Sequence, residues 1–136
     1  MTTKLKLVVL PGLLAFLWGA IPVFADSLVI NEFLAVNNSI LADENGDFSD
    51  WIEIYNGSTN TVDLDGWFLT DNADNLDKWR IPNVSLSTGE YLVVFASNKD
   101  RDNPASELHT DFRLSGGGEF LALVEPDHAT VHHAYS

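Results

Sequence analysis

Asp50-Trp51-Ile52-Glu53-Ile54-Tyr55-Asn56 is the stretch whose reading decides the fold class. Side chains alternate across a strand, so Trp51, Glu53 and Tyr55 share one face while Ile52 and Ile54 share the other. β-branched and aromatic residues fill the stretch, and turn-forming Asp and Asn bound it. The same grammar recurs in both directions. Leu28-Val29-Ile30-Asn31-Glu32-Phe33-Leu34 lies upstream, rich in β-formers. Downstream, Trp67 to Thr70 follows Asp65-Gly66, Lys78 to Ile81 stops at Pro82, and Tyr91 to Ala96 follows Thr88-Gly89. Glu119 to Val124 follows three glycines, and Thr130 to Tyr135 reads as a last strand. After Ala25 no capped run of i, i+3, i+4, i+7 apolar spacing occurs. The nearest, Phe33 to Ala42, reads as a strand end followed by a loop or one helical turn. Short strands punctuated by turns predict an all-β sandwich rather than βαβ units.

Finer expectations follow from the same residues. Tyr91–Ala96 and Phe120–Val124 are almost continuously apolar, which suits strands buried on both faces, or strands whose outer face meets a partner. Trp51, Trp67 and Trp79 read as core anchors, with an aromatic ligand platform as the alternative. Asp65-Gly66 is a two-residue hairpin signal. Ser115-Gly116-Gly117-Gly118 reads as a mobile hairpin connection. Asn31 and Glu32 interrupt an apolar strand, so they are expected to bond backbone or to face solvent at a sheet edge. Asp50 and Asn56 are expected to make side-chain turn bonds.

The first 25 residues read as a secretory leader, to be cleaved after Ala25. Lys4 and Lys6 form the positive region, Leu7 to Gly19 is almost wholly apolar, and Val23-Phe24-Ala25 resembles a signal-peptidase site. The apolar run is shorter than the roughly 20 residues a membrane span needs and contains Pro11 and Gly12, so no stable membrane insertion is expected after cleavage. The protein is therefore expected to be secreted or held at the cell surface, with its folded domain over 26–136.

All 20 Asp and Glu lie after Ala25, and the formal net charge is −13. Such a surface repels phosphate backbones and argues against nucleic acid as a partner. The absence of cysteine rules out disulfides, thiolate metal sites and a Cys nucleophile. The exported domain must hold together by its core, and a domain of this size can bury roughly two-thirds of its unfolded surface.

Several blocks in order resemble the lamin-tail domain family: Val29 to Phe33, Asp50 to Asn56, Val62 to Asp71, Trp79 to Pro82, Gly89 to Phe95, Leu108 to Leu114, and Gly118 to Asp127. The resemblance covers essentially everything after the leader. It implies an immunoglobulin-like sandwich acting as an accessory or interaction module, and it brings no catalytic residues. Two departures stand out. His128 occupies a turn where the family commonly has Gly, at some cost if φ must be positive. The chain also stops at Ser136, soon after the last strand should begin, which predicts an incomplete closing edge and the potential to dimerise through it.

Candidate chemistry is sparse. Asp43, Asn45 and Asp47 alternate like the first half of a calcium loop, with Asp50 close behind, and these four are the candidate calcium ligands. Gly46 falls at the fourth position and Ile54 at the twelfth, which excludes an EF-hand. Asp71, Asp74 and Asp77 could meet on a cation only if their loop folds back. His132 and His133 are adjacent, so on a strand they point oppositely and cannot share a metal; His109 is expected to cap a strand or bond a carbonyl. No nucleophile-elbow or phosphate-loop motif is present, and a small sandwich offers little cleft for paired carboxylates. No catalytic residue and no required cofactor is expected. The expected function is a non-catalytic extracytoplasmic module binding a protein or glycan; calcium-dependent adhesion or carbohydrate binding is the alternative.

Overall fold

A computed structural model describes residues 28–118 and 120–136. The leader expected over 1–25 lies outside them. The described residues form ten strands and no helix. One sheet has the order β1 (Leu28–Leu34), β2 (Asp50–Asn56), β7 (Tyr91–Ala96), β8 (Leu108–His109). The other has the order β10 (Val131–Tyr135), β9 (Leu121–Val124), β4 (Phe68–Thr70), β5 (Trp79–Arg80). Two short strands, β3 (Val62–Asp63) and β6 (Ser85–Leu86), pair separately. The pairings are antiparallel except β7 with β8.

The alternation in β2 settles the layers. Ile52 and Ile54 are fully buried and join Ile30, Val94, Leu69, Leu121 and Leu123 in one core cluster spanning both sheets. Burying such side chains stabilises by about 1.5–3 kcal/mol each. This is the immunoglobulin-like sandwich expected from the sequence. All of β9 is buried, because Leu121 and Leu123 enter the main core while Ala122 and Val124 pack with Phe68 against Leu76 and Phe120. Trp79 is buried as a core anchor, Trp67 is half-buried against the core, and Trp51 is buried on the opposite face of the first sheet.

Two turn readings need correction. Asp65-Gly66 is a turn, with Trp67 N–H donating to Leu64 C=O at 3.0 Å and Gly66 at φ +81°. Yet it joins no hairpin: β3 pairs with β6, while β4 pairs with β5 and β9. The turn moves the chain between sheets, as does the Ser115–Gly118 turn between β8 and β9.

The last strand, β10, forms an edge of the second sheet. β10 pairs with β9 through Tyr135 and meets the outer edge of β1 with its side chains. A bulge between Ile30 and Glu32 turns that edge. Ile30 N–H donates to His133 Nδ1 at 3.3 Å, Tyr135 Oη donates to Ile30 C=O at 3.1 Å, and Phe33 meets Tyr135 edge to face. Asn31 and Glu32 face solvent on this edge strand, as expected. His128 does adopt positive φ, +63°, inside a turn held by Asp127.

Candidate functional site

The register places three rows of side chains on the outer face of the first sheet, because directly opposed residues share a face. Leu34, Trp51, Phe95 and His109 form one row, with Phe95 and His109 stacked at 5.2 Å. Glu32, Glu53 and Val93 form the next, and Val29, Tyr55 and Tyr91 the third. An outer row would ordinarily be wet. Trp51, Phe95 and His109 of the first are instead buried, His109 at 0% exposure, because the 35–49 segment folds over them.

Asp43 is the hub of that segment. Its Oδ1 accepts the N–H groups of Asn45 and Asp47, at 3.0 and 3.1 Å. Its Oδ2 accepts Ser49 Oγ at 3.2 Å and the Lys99 ammonium. Gly46, at φ +83°, lets the chain turn back so that its N–H reaches Asp43 C=O at 2.8 Å. The Lys99 ammonium also reaches Asn45 Oδ1 at 3.2 Å and Asp47 Oδ2 at 2.9 Å. Three of the four predicted calcium ligands are therefore gathered around one point, and the group at that point is a lysine ammonium. Asp50 does not join them. Its Oδ1 accepts the N–H groups of Val36 and Asn37, at 2.8 and 3.2 Å, and so fixes the start of the segment. Burial pushes the Asp43 carboxyl up, but the Lys99 bond and the Asp47 and Asn45 N–H groups outweigh it and hold it low. Burial likewise pushes Lys99 down, and the Asp43 and Asp47 carboxylates overcome this and raise it.

A second cluster closes the segment onto the sheet. His109 neither caps a strand nor bonds a carbonyl through its ring. Its Nδ1 lies 2.8 Å from Ser97 Oγ, and its Nε2 lies 3.0 Å from Glu44 Oε2. Glu44 also takes the Arg101 guanidinium, and its N–H donates to Glu107 Oε2 at 2.6 Å. Contact with Glu107, then with His109, holds the Glu44 carboxyl down at about 2, and the same contact pushes Glu107 up. Glu44, Glu107 and His109 thus bring three metal-type donor atoms within 4.8 Å of one another.

Hydroxyl, imidazole and carboxylate in contact make the heteroatom order of a hydrolytic relay, but this one is sealed. Ser97 is 3% exposed, and its Oγ already accepts the Lys99 N–H at 3.2 Å. The ring is also reversed relative to a serine-hydrolase triad, in which the hydroxyl meets Nε2 and the acid meets Nδ1. Beside the cluster lies a polar cleft of about 530 Å³ between the segment and the 97–99 turn, bordered by Asp50, Lys99 and Arg113.

The remaining candidates stay apart. Asp71 pairs with Lys78 at 2.5 Å and Asp77 with His128 at 3.2 Å, while the Asp74 N–H bonds the Asn72 side chain. His132 pairs with Glu125 at 3.0 Å, and His133 turns the other way, toward β1. Asn56 makes the expected turn bonds, with Oδ1 accepting Ser58 N–H and Nδ2 donating to Asn60 and Leu86 C=O.

A two-sheet sandwich whose hydroxyl–imidazole pair is buried and whose clustered carboxylates are engaged within the fold has the features of a structural or binding domain. The chain belongs to the Lamin Tail Domain family, which matches residues 25–136. The domain of that family is an immunoglobulin-like interaction fold and is not an enzyme. No curated protein matches this chain.

Proposed function

We propose that the protein is a non-catalytic, extracytoplasmic interaction module, serving as an accessory part of a secreted or cell-surface assembly. The observation that carries this reading is the division of the first sheet's outer face. Ser97 and His109 are buried beneath the 35–49 segment, which Asp43 and Glu44 hold in place from within it, while the neighbouring rows run from half-buried to exposed. A face built this way favours contact over turnover. Export is supported by the charged, apolar and small-residue pattern of residues 4–25.

The module works without calcium in this reading, because Lys99 already supplies positive charge to Asp43, Asn45 and Asp47. Burial of Trp51 and Trp79 favours a protein partner over a glycan platform built on tryptophans. The test expresses the full chain in a secreting host, sequences the N-terminus of the recovered protein, and cross-links it in the medium. A protein outside the cell that begins at Asp26 and forms discrete cross-linked complexes supports the reading. A chain retained inside with Met1 intact, or one that forms no complex, overturns it.

A further inference from the structure

The two uncovered rows carry a charge problem that the fold leaves unsolved. Glu32 and Glu53 are direct cross-strand partners on the same face. Like charges in that position are destabilising. Asn31 Nδ2 donates to Glu53 Oε1 at 2.8 Å, but among the described residues no Lys or Arg pairs with either carboxylate. Among the described residues the basic side chains are engaged elsewhere: Lys78 on Asp71, Arg80 on Asp65, Lys99 on Asp43 and Asp47, and Arg101 on Glu44. Arg113 Nε donates to Ser97 C=O. Beside the carboxylates stands an aromatic pair, Tyr55 and Tyr91, with centroids 4.6 Å apart and planes tilted by 31°. Tyr91 is 56% exposed, because β8 pairs only with Val94 and Phe95 and leaves the Tyr91 end of β7 paired with β2 alone.

We infer that this face, made by Val29, Glu32, Glu53, Tyr55, Tyr91 and Val93, docks an extended protein segment carrying Lys or Arg side chains. The inference rests on the interaction-module reading and names the face and the partner chemistry. Charge complementarity selects the occupant. Two unpaired carboxylates in a strongly acidic protein attract a cation, and a tyrosine face beside them adds a cation–π contact. Geometry agrees. An extended segment presents alternate side chains on one side about 7 Å apart, the same spacing as Glu53 and Tyr55 along β2. One cationic side chain can meet the carboxylates while the next lies on the tyrosines.

The probe is the pentapeptide acetyl-Ser-Arg-Ser-Lys-Ser-amide, titrated at low salt into the isotope-labelled full chain and read by amide shifts. Expected shifts centre on β1, β2 and β7. Tyr91→Ala weakens binding about two- to fivefold, as removal of an exposed cation–π contact should. Glu32→Gln with Glu53→Gln weakens it about three- to tenfold, and the control pair Asp74→Asn with Asp77→Asn changes it by less than about twofold. Shifts spread over the acidic loops, or equal losses in the control pair, overturn the proposal in favour of diffuse attraction. Tyr91-dependent binding of neutral oligosaccharides without binding of the peptide overturns the partner class. In either case the interaction-module reading stands, since it is tested separately by export and complex formation.

Discussion

Replacing Lys99 by Met keeps the apolar stem and removes the ammonium from Asp43, Asn45 and Asp47. The side chain of Asp43 is fully buried, and that of Lys99 is 22% exposed. Stripping one partner from a wholly buried pair destabilises by about 3–5 kcal/mol. Here the carboxylate keeps the Asn45 and Asp47 N–H groups and the Ser49 hydroxyl. Water also reaches the lysine position. Those retained bonds and that screening bring the expected loss to about 2 kcal/mol. At roughly 4–8 °C per kcal/mol for a domain of this size, the melting temperature should fall by about 8–16 °C. The variant should then regain part of the loss in millimolar calcium, because three oxygens have lost their cation, whereas the wild-type melt should not move with calcium. Differential scanning fluorimetry of both proteins, with and without calcium and magnesium, reads all of this. A variant melting close to wild type, or a wild-type protein stabilised by calcium, would falsify the account of Lys99 as the resident cation.

Four other outcomes follow from local features of the structure. His133 Nδ1 accepts Ile30 N–H, and burial, then the neighbouring His132 charge, hold the ring below its usual pKa. A base kept neutral by the fold contributes stability that is whole above its unfolded value, about 6.5, and is lost as pH falls from there toward the lowered folded value. The melting temperature of wild type should thus drop more steeply between about pH 7 and pH 5 than that of His133→Gln, which keeps an acceptor without titrating; parallel curves would discard the latch. Val36 holds φ at +70°, a costly value for a β-branched residue, so Val36→Asn should stabilise by about 1 kcal/mol in urea denaturation. The same valine sits where a Cβ on Gly116 would go, at 2.5 Å, so Gly116→Ala should stabilise much less in the wild-type background than when combined with Val36→Asn. Trp51 Nε1 is buried without a partner, so Trp51→Phe should change stability by less than about 1 kcal/mol, the lost packing being offset by removal of an unpaired donor; a loss of several kcal/mol would mean the indole nitrogen is satisfied by water.

The fold was legible because its strongest signals are local. β2 follows from alternation, and β1, β7 and β10 follow from short runs of β-forming residues with turn residues close by. β3, β6 and β8 have two residues each, too short for any period to register, and they owe their pairing to the strands they meet. The hairpin reading of Asp65-Gly66 failed for a related reason: a turn's chemistry fixes the bend, while the sheet each arm joins is set by distant packing. The site was half legible. Alternation at Asp43, Asn45 and Asp47 marked them as candidate calcium ligands and so drew attention to this loop, but Lys99 lies 56 positions from Asp43 and nothing local links them. Ser97, His109 and Glu44 come from three separate segments, so no spacing rule could join them. A buried histidine in the short run Leu108-His109-Thr110 was the one available hint.

Lys99 occupies the centre of the loop whose alternation suggested a calcium site. Wrapping a cation with alternate short oxygen-bearing side chains is one geometric solution, and the chain around it is the same whether the cation is an ion or an ammonium. What differs is the source of the charge. An ion is held by mass action, so its contribution to folding varies with its concentration. A lysine from the 97–101 turn is tethered to the same fold, so its contribution is present whenever the sheet is formed. The cover over Trp51, Phe95 and His109 is thereby coupled to β7 and β8 and made independent of the medium. In this reading that independence suits an exported module, and it leaves Glu32 and Glu53 as opposed carboxylates of the first sheet's face to which no described Lys or Arg supplies a cation.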